Sequence, residues 1–384
     1  MKHVYLIGSK GIPAHYGGFE TFVERLTALK QSKDIMYHVA CLKEAPEPHH
    51  NGADCFAVRV PEIGPAKAIL YDRKAFLKAL KEIRKNREEA VIYVLACRLG
   101  PFMTGLVIKA HLLNVPVYIN PDGHEWMRKK WSGPVRAYWK ASEKNMVKMA
   151  DLCICDALEM ERYIKEEYAA FQPKTCYLSY GADQNTDISA ETEAAYRKWL
   201  SEHDLKAGDY ALIVGRFVPE NNYLLMLAEY CTAETDHPLC IITDYEGKPF
   251  YDKLLQETQF DTDERIRFVG TVYDRGLLAL IRRNAWVYIH GHEVGGTNPS
   301  LLEALAETEV NLLLDVPFNR EVGQDAALYF TKEPGNLAVI LDMIELYDED
   351  NRHALGQHAK QRIREAYRWE DIVAKYEALW EKGL

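Results

Sequence analysis

Short apolar runs alternate with longer amphipathic stretches along the first half of the chain. The runs lie at residues 4–7, 37–42, 91–95, 116–120 and 152–155. Between the second and third runs, residues 66–87 carry apolar side chains at helical spacing. Strands that alternate with helices are typical of a parallel sheet covered on both faces.

The same alternation returns after a polar, Ala- and Glu-rich stretch at residues 184–208, which is typical of a linker with a lead-in helix. The later predicted strands lie at residues 210–215, 240–243, 266–269 and 287–290. A chain of 384 residues is long for a single hydrophobic core. The pattern therefore predicts two α/β domains.

Composition narrows the class of protein. No stretch approaches the ~20 apolar residues of a membrane span, and the first residues read as a strand and not as an export signal. The eight cysteines show no C-x-x-C pair or metal-ligand spacing, so we expect reduced thiols in a cytoplasmic protein. A net charge of -10 argues against general nucleic-acid binding.

The most informative stretch is HGHEVGGTNPSLLEALA, at residues 290–306. It predicts a strand end, a glycine loop and a helix with Asn298 as N-cap and Pro299 in the first turn. Gly295 and Gly296 allow the backbone to approach a ligand, and N–H groups at a helix start favour an anion. A buried helix start with an incidental Glu is the alternative interpretation.

Two carboxylates, Glu293 and Glu303, flank this turn and would repel a simple anion. A nucleotide sugar removes the contradiction, because its diphosphate binds the helix start while its hydroxyl groups need acceptors.

The stretch resembles the glutamate-pair motif (E-x7-E) of retaining GT-B glycosyltransferases of family 4, although nine residues separate Glu293 from Glu303. With GGTNPSLLEA, PENN and DGHEW, the chain looks like the bacterial rhamnosyltransferases that build cell-surface polysaccharides. The resemblance implies two Rossmann-like domains facing across a cleft. Residues 1–183 form the acceptor and membrane side, residues 184–364 bind the donor, and a helix at 365–384, anchored by Trp369 and Trp380, returns to the first domain.

The resemblance also implies the site. Glu293 contacts the transferred sugar and is the predicted catalytic residue of the second domain. Arg216, at a strand end, is placed to clamp the diphosphate, whereas Asn222 stands where relatives commonly have a Lys. The predicted donor-binding residues are Arg216, Asn221, Asn222, Gly270, Val272, Gly295, Gly296, Thr297, Asn298, Ser300, Glu303 and Arg320.

In the first domain, the resemblance assigns Gly17 and Gly18 to a glycine loop that faces the donor diphosphate and acceptor. Asp122 or His124 takes the place of a His that points at the reacting sugar, and the choice between them stays open. Arg98, at a strand end, is either a contact to acceptor or diphosphate or a solvated side chain.

Residues 124–148 hold seven Lys or Arg against two Glu, a local charge of +5, with four aromatic residues interleaved. Such a mixture suits anionic headgroups at a membrane surface. We expect this segment to hold a polyprenyl-diphosphate acceptor there; a solvated helix with core Trp residues is the alternative. The predicted acceptor or membrane residues are Arg98, Arg128, Lys129, Trp131, Arg136 and Lys140.

The sequence thus predicts a cytoplasmic, membrane-associated enzyme that transfers L-rhamnose from dTDP-L-rhamnose to a polyprenyl-linked sugar, glucose or N-acetylglucosamine. The alternatives are a UDP-sugar donor, a sugar-nucleotide epimerase, and a non-catalytic nucleotide-sugar-binding subunit. We expect no cofactor and no metal, because the D-x-D at Asp261 and Asp263 precedes a predicted strand and so reads as solvated.

Overall fold

The computed structural model describes residues 1–14, 17–42, 48–64, 66–128, 130–183 and 188–383. The chain divides into two compact units. The first comprises Met1–Tyr180 together with Trp369–Leu384, and the second comprises Gly181–Arg368.

The first unit is built on an eight-stranded sheet, as far as the structure describes it, in the order β3-β4-β2-β1-β5-β6-β7-β8. Its neighbouring strands pair in parallel, except that β3 and β4 are antiparallel. The strands are β1 (Lys2–Ile7), β2 (Ile35–Cys41), β3 (His49–His50), β4 (Ala53–Ala57), β5 (Ala90–Leu95), β6 (Val117–Asn120), β7 (Leu152–Cys155) and β8 (Thr175–Tyr177). The helices that follow the strands are α1 (Gly18–Ala28), α2 (Ala66–Asn86), α3 (Gly100–His111), α4 (Gly133–Met149) and α5 (Leu158–Glu167).

The apolar runs of the sequence form the central strands of this sheet. Every residue of β5 and β7 is buried, as expected for strands covered by helices on both faces. The pattern missed β3 and β4, because polar and partly exposed side chains such as His49 and Asp54 dilute the apolar signal at a sheet edge.

The second unit repeats the plan, and its described residues form six parallel strands in the order β11-β10-β9-β12-β13-β14. The strands are β9 (Ala211–Val214), β10 (Leu239–Ile242), β11 (Ile266–Phe268), β12 (Val287–His290), β13 (Asn311–Leu314) and β14 (Leu328–Phe330). The helices are α6 (Ala190–Glu202), α7 (Tyr223–Tyr230), α8 (Pro249–Thr258), α9 (Arg275–Arg283), α10 (Pro299–Glu307), α11 (Pro317–Gly323), α12 (Asn336–Ile344) and α13 (Glu349–Ala366). Apolar clusters bury both faces of the sheet.

The last helix, α14 (Trp369–Lys382), belongs to the first unit although it follows the second in sequence. Trp380 is buried, and its ring lies 5.4 Å from the ring of Tyr93 on β5. The Glu377 carboxylate accepts the backbone N–H groups of Gln31 and Ser32, each at 2.9 Å. The predicted α/β architecture of two doubly wound domains with a returning C-terminal helix is confirmed.

Candidate functional site

The predicted helix after β12 is α10, and its first turn is capped from within. Asn298 is the N-cap, and its side chain accepts the N–H of Ser300 at 2.9 Å. The Asn298 carbonyl accepts the N–H groups of Leu301 and Leu302, at 3.1 and 3.2 Å, and Pro299 has no N–H. The cap residue therefore uses the N–H of Ser300, which corrects the expectation that it is free, whereas the N–H of Asn298 forms no hydrogen bond with the described residues and the helix dipole remains.

Unbonded donors lie one step earlier, in the glycine loop. In the part of the chain that the structure describes, the N–H groups of Gly295 and Gly296 donate to no protein acceptor. Gly295 has a φ of +150°, and a Cβ there would lie 3.0 Å from the His292 ring, so a larger residue is strained and crowded. The loop therefore holds two unbonded backbone donors beside the positive end of α10; Gly296 is partly exposed, whereas Gly295 and Thr297 are buried.

The Glu293 carboxylate, about one third exposed, has a basic partner that the sequence did not suggest. Lys332 Nζ lies 2.5 Å from Glu293 Oε1, and Asn222 Nδ2 donates to Glu293 Oε2 at 3.3 Å. Lys332 is 39 residues away along the chain. The available signal was a lysine two residues beyond the carboxyl end of a strand, where parallel sheets bind ligands.

Glu303 is held by a second cation that sequence reasoning missed. Arg282, in the last turn of α9, is buried, and its Nη1 lies 2.8 Å from Glu303 Oε2. Its Nη2 donates to Ser300 Oγ at 3.1 Å. One buried guanidinium thus fixes a carboxylate and a hydroxyl on the exposed side of α10, while the Glu303 side chain remains 44% exposed.

His290, at the end of β12, lies beneath this loop and carries no charge. Burial, followed by the proximity of His292 and Arg282, lowers the pKa of His290 well below its ordinary value. Its Nδ1 lies 3.3 Å from the Tyr288 hydroxyl, which is itself 3.2 Å from Ser300 Oγ. The imidazole is therefore a neutral part of the support under the helix start.

The loop after β9 is joined to the loop after β12 by Asn221 and Asn222. Asn221 donates to the Arg216 carbonyl at 2.8 Å, and its Oδ1 lies 2.7 Å from His292 Nδ1. Asn222, at a left-handed φ of +56°, donates to the Gly291 carbonyl at 2.8 Å. Arg216 is exposed, and its guanidinium forms no ion pair or hydrogen bond with the described residues.

The structure brings Arg216, Asn221, Asn222, Glu293 and Lys332 together at one edge of the second sheet, but it gives Arg320 another partner. The Arg320 guanidinium donates twice to Asp315 at 2.7 Å and lies 3.6 Å from the centre of the Tyr329 ring. Its predicted donor contact would require it to leave this carboxylate.

Gly270 and Val272, the predicted contacts to the base, follow β11. Gly270 has a φ of +77°, and its carbonyl accepts the N–H of Thr243 at 2.8 Å. Val272 packs against the apolar cluster of the second unit. Backbone contacts of these residues to a base remain a prediction.

The D-x-D stretch before β11 is not solvated throughout, as the sequence suggested. The Asp263 carboxylate accepts two hydrogen bonds from the Arg265 guanidinium, at 2.7 and 3.0 Å, whereas Asp261 is exposed.

In the first unit, the predicted glycine loop is already filled by a carboxylate. A Cβ at Gly17 would collide with Glu20 Oε2, and Glu20 Oε1 accepts the N–H of Lys10 at 2.7 Å. The space beside Gly17 and Gly18 is therefore occupied by the carboxylate of Glu20 from the same chain. A phosphate at this turn would have to displace Glu20, so the expected phosphate contact does not fit the observed geometry.

Asp122 and His124 follow β6 in left-handed conformations, with φ of +61° and +40°. The His124 ring packs edge-on against Tyr163 on α5, with 4.4 Å between ring centres. Burial, and then the charge of Lys140, lowers the pKa of His124 to about 4. Asp122 Oδ1 accepts the N–H of Gly123 at 2.9 Å, and Asp122 and His124 are both half-buried.

Arg98 forms an ion pair inside the first unit. Its Nε lies 2.8 Å from the fully buried Asp72 carboxylate. Burial raises the pKa of Asp72 to about 6, against the opposing effect of Arg98. The alternative of a solvated Arg98 is therefore wrong, and a ligand contact of Arg98 stays a prediction in which the guanidinium is shared with the buried Asp72 carboxylate.

The basic segment is partly neutralised within the fold. Arg128 is buried against Glu125, and the Trp131 indole donates to the same carboxylate at 2.9 Å. Lys140 lies 2.8 Å from Glu167 and stacks 4.5 Å from the Trp126 ring. Headgroup contact by Arg128 is therefore wrong, and Lys129 lies outside the described residues.

Other members of the segment remain on the surface. Arg136, Lys144 and Lys148 on α4 are exposed. The neighbouring α3 and its C-cap expose two apolar side chains four residues apart, which we call the α3 stripe: Ile108 and Leu112, at 54% and 79% exposure. Among the described helices, none has the length and apolarity that a bilayer crossing requires.

Comparison with known proteins identifies the fold. A family model described as a domain of unknown function (DUF1972) matches residues 1–183. No curated protein matches the chain.

Sucrose-phosphate synthase from Thermosynechococcus elongatus aligns with a TM-score of 0.75 and 15% identity, over 100% of this chain and 99% of that one. A glycosyltransferase from Rickettsia africae aligns with a TM-score of 0.75 and 10% identity, over 99% of this chain and 98% of that one. Anabaena HepE in complex with UDP aligns with a TM-score of 0.72 and 12% identity, over 99% of this chain and 100% of that one. At these identities the likeness shows the fold, which is GT-B.

Proposed function

We propose that this chain is a retaining glycosyltransferase that moves L-rhamnose from dTDP-L-rhamnose to a sugar on a polyprenyl diphosphate. The observation that supports a transferase most strongly is the loop after β12. Two carboxylates, Glu293 and Glu303, flank a turn whose Gly295 and Gly296 N–H groups form no hydrogen bond with the described residues. A ligand with a central diphosphate and a sugar at each end suits this order of donors and acceptors.

Cleavage of the sugar–phosphate bond builds positive charge on the sugar carbon and negative charge on the departing diphosphate. In the proposed reaction, the two glycine N–H groups, the dipole of α10 and the exposed Arg216 stabilise the diphosphate. The acceptor hydroxyl attacks the same face that the diphosphate leaves, and a diphosphate oxygen takes its proton. The products are a glycoside of retained configuration and a nucleoside diphosphate.

Lys332 supplies the positive charge that Asn222 does not. Asn222 and Lys332 contact the two oxygens of the same Glu293 carboxylate, at 3.3 and 2.5 Å. An ammonium in this position stabilises both Glu293 and a nearby phosphate oxygen. We assign Glu293 to the transferred sugar, where its carboxylate stabilises the developing cation.

Glu303 binds the ribose hydroxyl groups in this proposal, and Arg282 is its positioning residue. Since Arg282 engages only Oε2 in the described contacts, the second carboxylate oxygen is available to a hydroxyl donor. In the first unit, we assign the acceptor side to the end of β6, with Asp122 as the polar group and His124 as a packed, neutral support.

A membrane-bound acceptor accounts for the surface of α3 and α4. We propose that the α3 stripe enters the headgroup region of the cytoplasmic leaflet while Arg136 and Lys144 contact anionic lipids, each basic residue contributing about 1 kcal/mol. With anionic vesicles, the double charge reversal Arg136→Glu/Lys144→Glu should reduce co-sedimentation. The matched reversal of exposed Lys81 and Lys85 on α2 should not. Equal binding by both variants would remove the membrane contact.

The choice of donor is testable by binding. HepE has been solved with UDP-glucose, and an E. coli protein whose description names trehalose-6-phosphate with UDP-2-fluoro glucose, which favours a UDP-sugar as the second candidate. Thermal unfolding of the purified chain with dTDP-rhamnose, UDP-glucose, UDP-N-acetylglucosamine and GDP-mannose separates the two. The largest stabilisation should come from dTDP-rhamnose. A larger response to a UDP-sugar would replace rhamnose, and no response to any would reject the transferase.

Turnover tests the assignment of Glu293. With dTDP-rhamnose and synthetic lipid-linked glucose or N-acetylglucosamine, Glu293→Gln should abolish transfer while leaving the unfolding temperature nearly unchanged. Glu309→Gln, which also removes a carboxylate from a partly exposed ion pair of the second unit, is the matched control. Wild-type turnover by Glu293→Gln would refute the role.

A further inference from the structure

A second cluster of chemically competent side chains lies in the first unit, outside the residues used above. His3 and Tyr5 are two residues apart on β1 and so share one face of the sheet. In the strand register, Tyr5 pairs with His38 on β2, and His38 pairs with Asp54 on β4. Glu88 precedes β5, the other neighbour of β1.

The ligand-type atoms of three of these residues converge. His3 Nδ1 lies 2.9 Å from His38 Nε2 and 3.8 Å from Glu88 Oε1, and all three atoms lie within 4.8 Å of one another. In a tetrahedral site with bonds of about 2.0 to 2.2 Å, ligand atoms are about 3.3 Å apart. The separations of 2.9 and 3.8 Å each differ from this value by about half an ångström, and the third separation is at most 4.8 Å.

The three side chains are shielded but reachable. Their exposed fractions are 20% for His3, 12% for His38 and 8% for Glu88. They line a cavity of about 370 Å³ between the sheet and α2, which Lys78 and Glu82 also border. A cation can enter from solvent, and a water molecule has room to be a fourth ligand.

Further groups orient these three side chains as the outer partners of a metal site do. Asp54 Oδ2 lies 3.3 Å from His38 Nδ1, the ring nitrogen that does not face the cluster, which is the position of an outer partner to a ligating histidine. The Tyr5 hydroxyl donates to Glu88 Oε2 at 2.6 Å, and Asn86 donates to Glu88 Oε1 at 2.8 Å.

We propose that His3, His38 and Glu88 bind one divalent transition-metal cation of the zinc type, with water as the fourth ligand. Two imidazoles and one carboxylate suit such a cation better than Mg²⁺ or Ca²⁺, which prefer sites built from oxygen alone. The metal would join β1, β2 and the segment that precedes β5. This site is independent of the proposed transferase chemistry, so either proposal can fail without the other.

The test is metal binding by the full chain, prepared without an affinity tag and stripped with a chelator. Equilibrium dialysis against Zn²⁺ with elemental analysis should give one bound equivalent, and Co²⁺ should give the visible absorption of tetrahedral coordination. His38→Gln and Glu88→Gln should lose both signals, and Asp54→Asn should weaken binding about 10- to 100-fold. His111→Gln is the matched control, because His111 also pairs with an aspartate of this unit.

Circular dichroism confirms that each variant is folded, and His3→Gln replaces His38→Gln if the latter is not. Less than one equivalent in the wild type, unchanged affinity in the ligand variants, or an equal loss in His111→Gln would overturn the site. After any of these results, the contacts among His3, His38 and Glu88 would be a network of hydrogen bonds and not a metal site.

Discussion

Lys332→Met gives the sharpest test of the loop cluster in the second unit. Methionine keeps much of the length of the lysine stem and removes the ammonium that lies 2.5 Å from Glu293 Oε1. The Glu293 carboxylate keeps its contact with Asn222, at 3.3 Å, but loses its counter-charge. The substitution thus changes charge at the proposed diphosphate and little of the packing.

The structure predicts a small effect on stability and a large effect on rate. Lys332 is 49% exposed and Glu293 35%, so their ion pair is worth about 0.2 to 1 kcal/mol to folding. Against a bound diphosphate, a cation about 4 Å from a phosphate oxygen interacts by about 4 kcal/mol at an effective dielectric constant of 20. Loss of one such preorganised charge typically costs about 10² to 10³ in rate.

The assay measures release of nucleoside diphosphate from dTDP-rhamnose with a lipid-linked acceptor, beside urea unfolding of the same samples. Lys253→Met, which removes a lysine paired with Glu257 on α8, controls for the loss of an exposed ion pair. We expect kcat/KM to fall about 10²- to 10³-fold in Lys332→Met alone, with both variants within about 1 kcal/mol of wild-type stability. Full activity of Lys332→Met would show that the ammonium does not act on the diphosphate.

Three further predictions test the support of the site and the first unit. Asn298→Ala should cost about 1 kcal/mol of unfolding free energy, because Ser300 loses its cap; urea titration checks this, and an unchanged midpoint contradicts it. Arg282→Met should raise the donor KM about 10-fold with little change in kcat. Arg282→Lys should restore the wild-type KM only in part, since lysine lacks the planar fork of the guanidinium. Kinetic titrations of the donor with both variants measure these changes. The pKa of about 4 for folded His124 lies below the ordinary 6.5, so its stabilising contribution is complete above pH 6.5 and is lost as the pH falls toward 4. Between pH 7 and 4.5, the free energy of unfolding should therefore fall by about 2 to 3 kcal/mol less in His124→Asn than in the wild type. Equal falls of the two proteins in urea unfolding would contradict the assignment.

The order of elements was determined by the sequence alone. Apolar runs such as those of β5 and β7 must be buried on both faces, and the helical stretches between them supply the cover, so the periodicity leaves little choice but a doubly wound sheet. The glutamate loop was also visible, because Gly295, Asn298 and Pro299 have local backbone roles that depend on their chain neighbours.

Tertiary structure decided which partner each charged side chain has. Lys332 reaches Glu293 across 39 residues, Arg282 reaches Glu303, and Arg98 is committed to Asp72. Periodicity reports which face of an element is buried, but a charged side chain responds to the nearest opposite charge in space. The sequence could therefore place the loops of the site but not the charge balance within them, since that balance depends on distances that exist only once the sheet has brought its strand ends together.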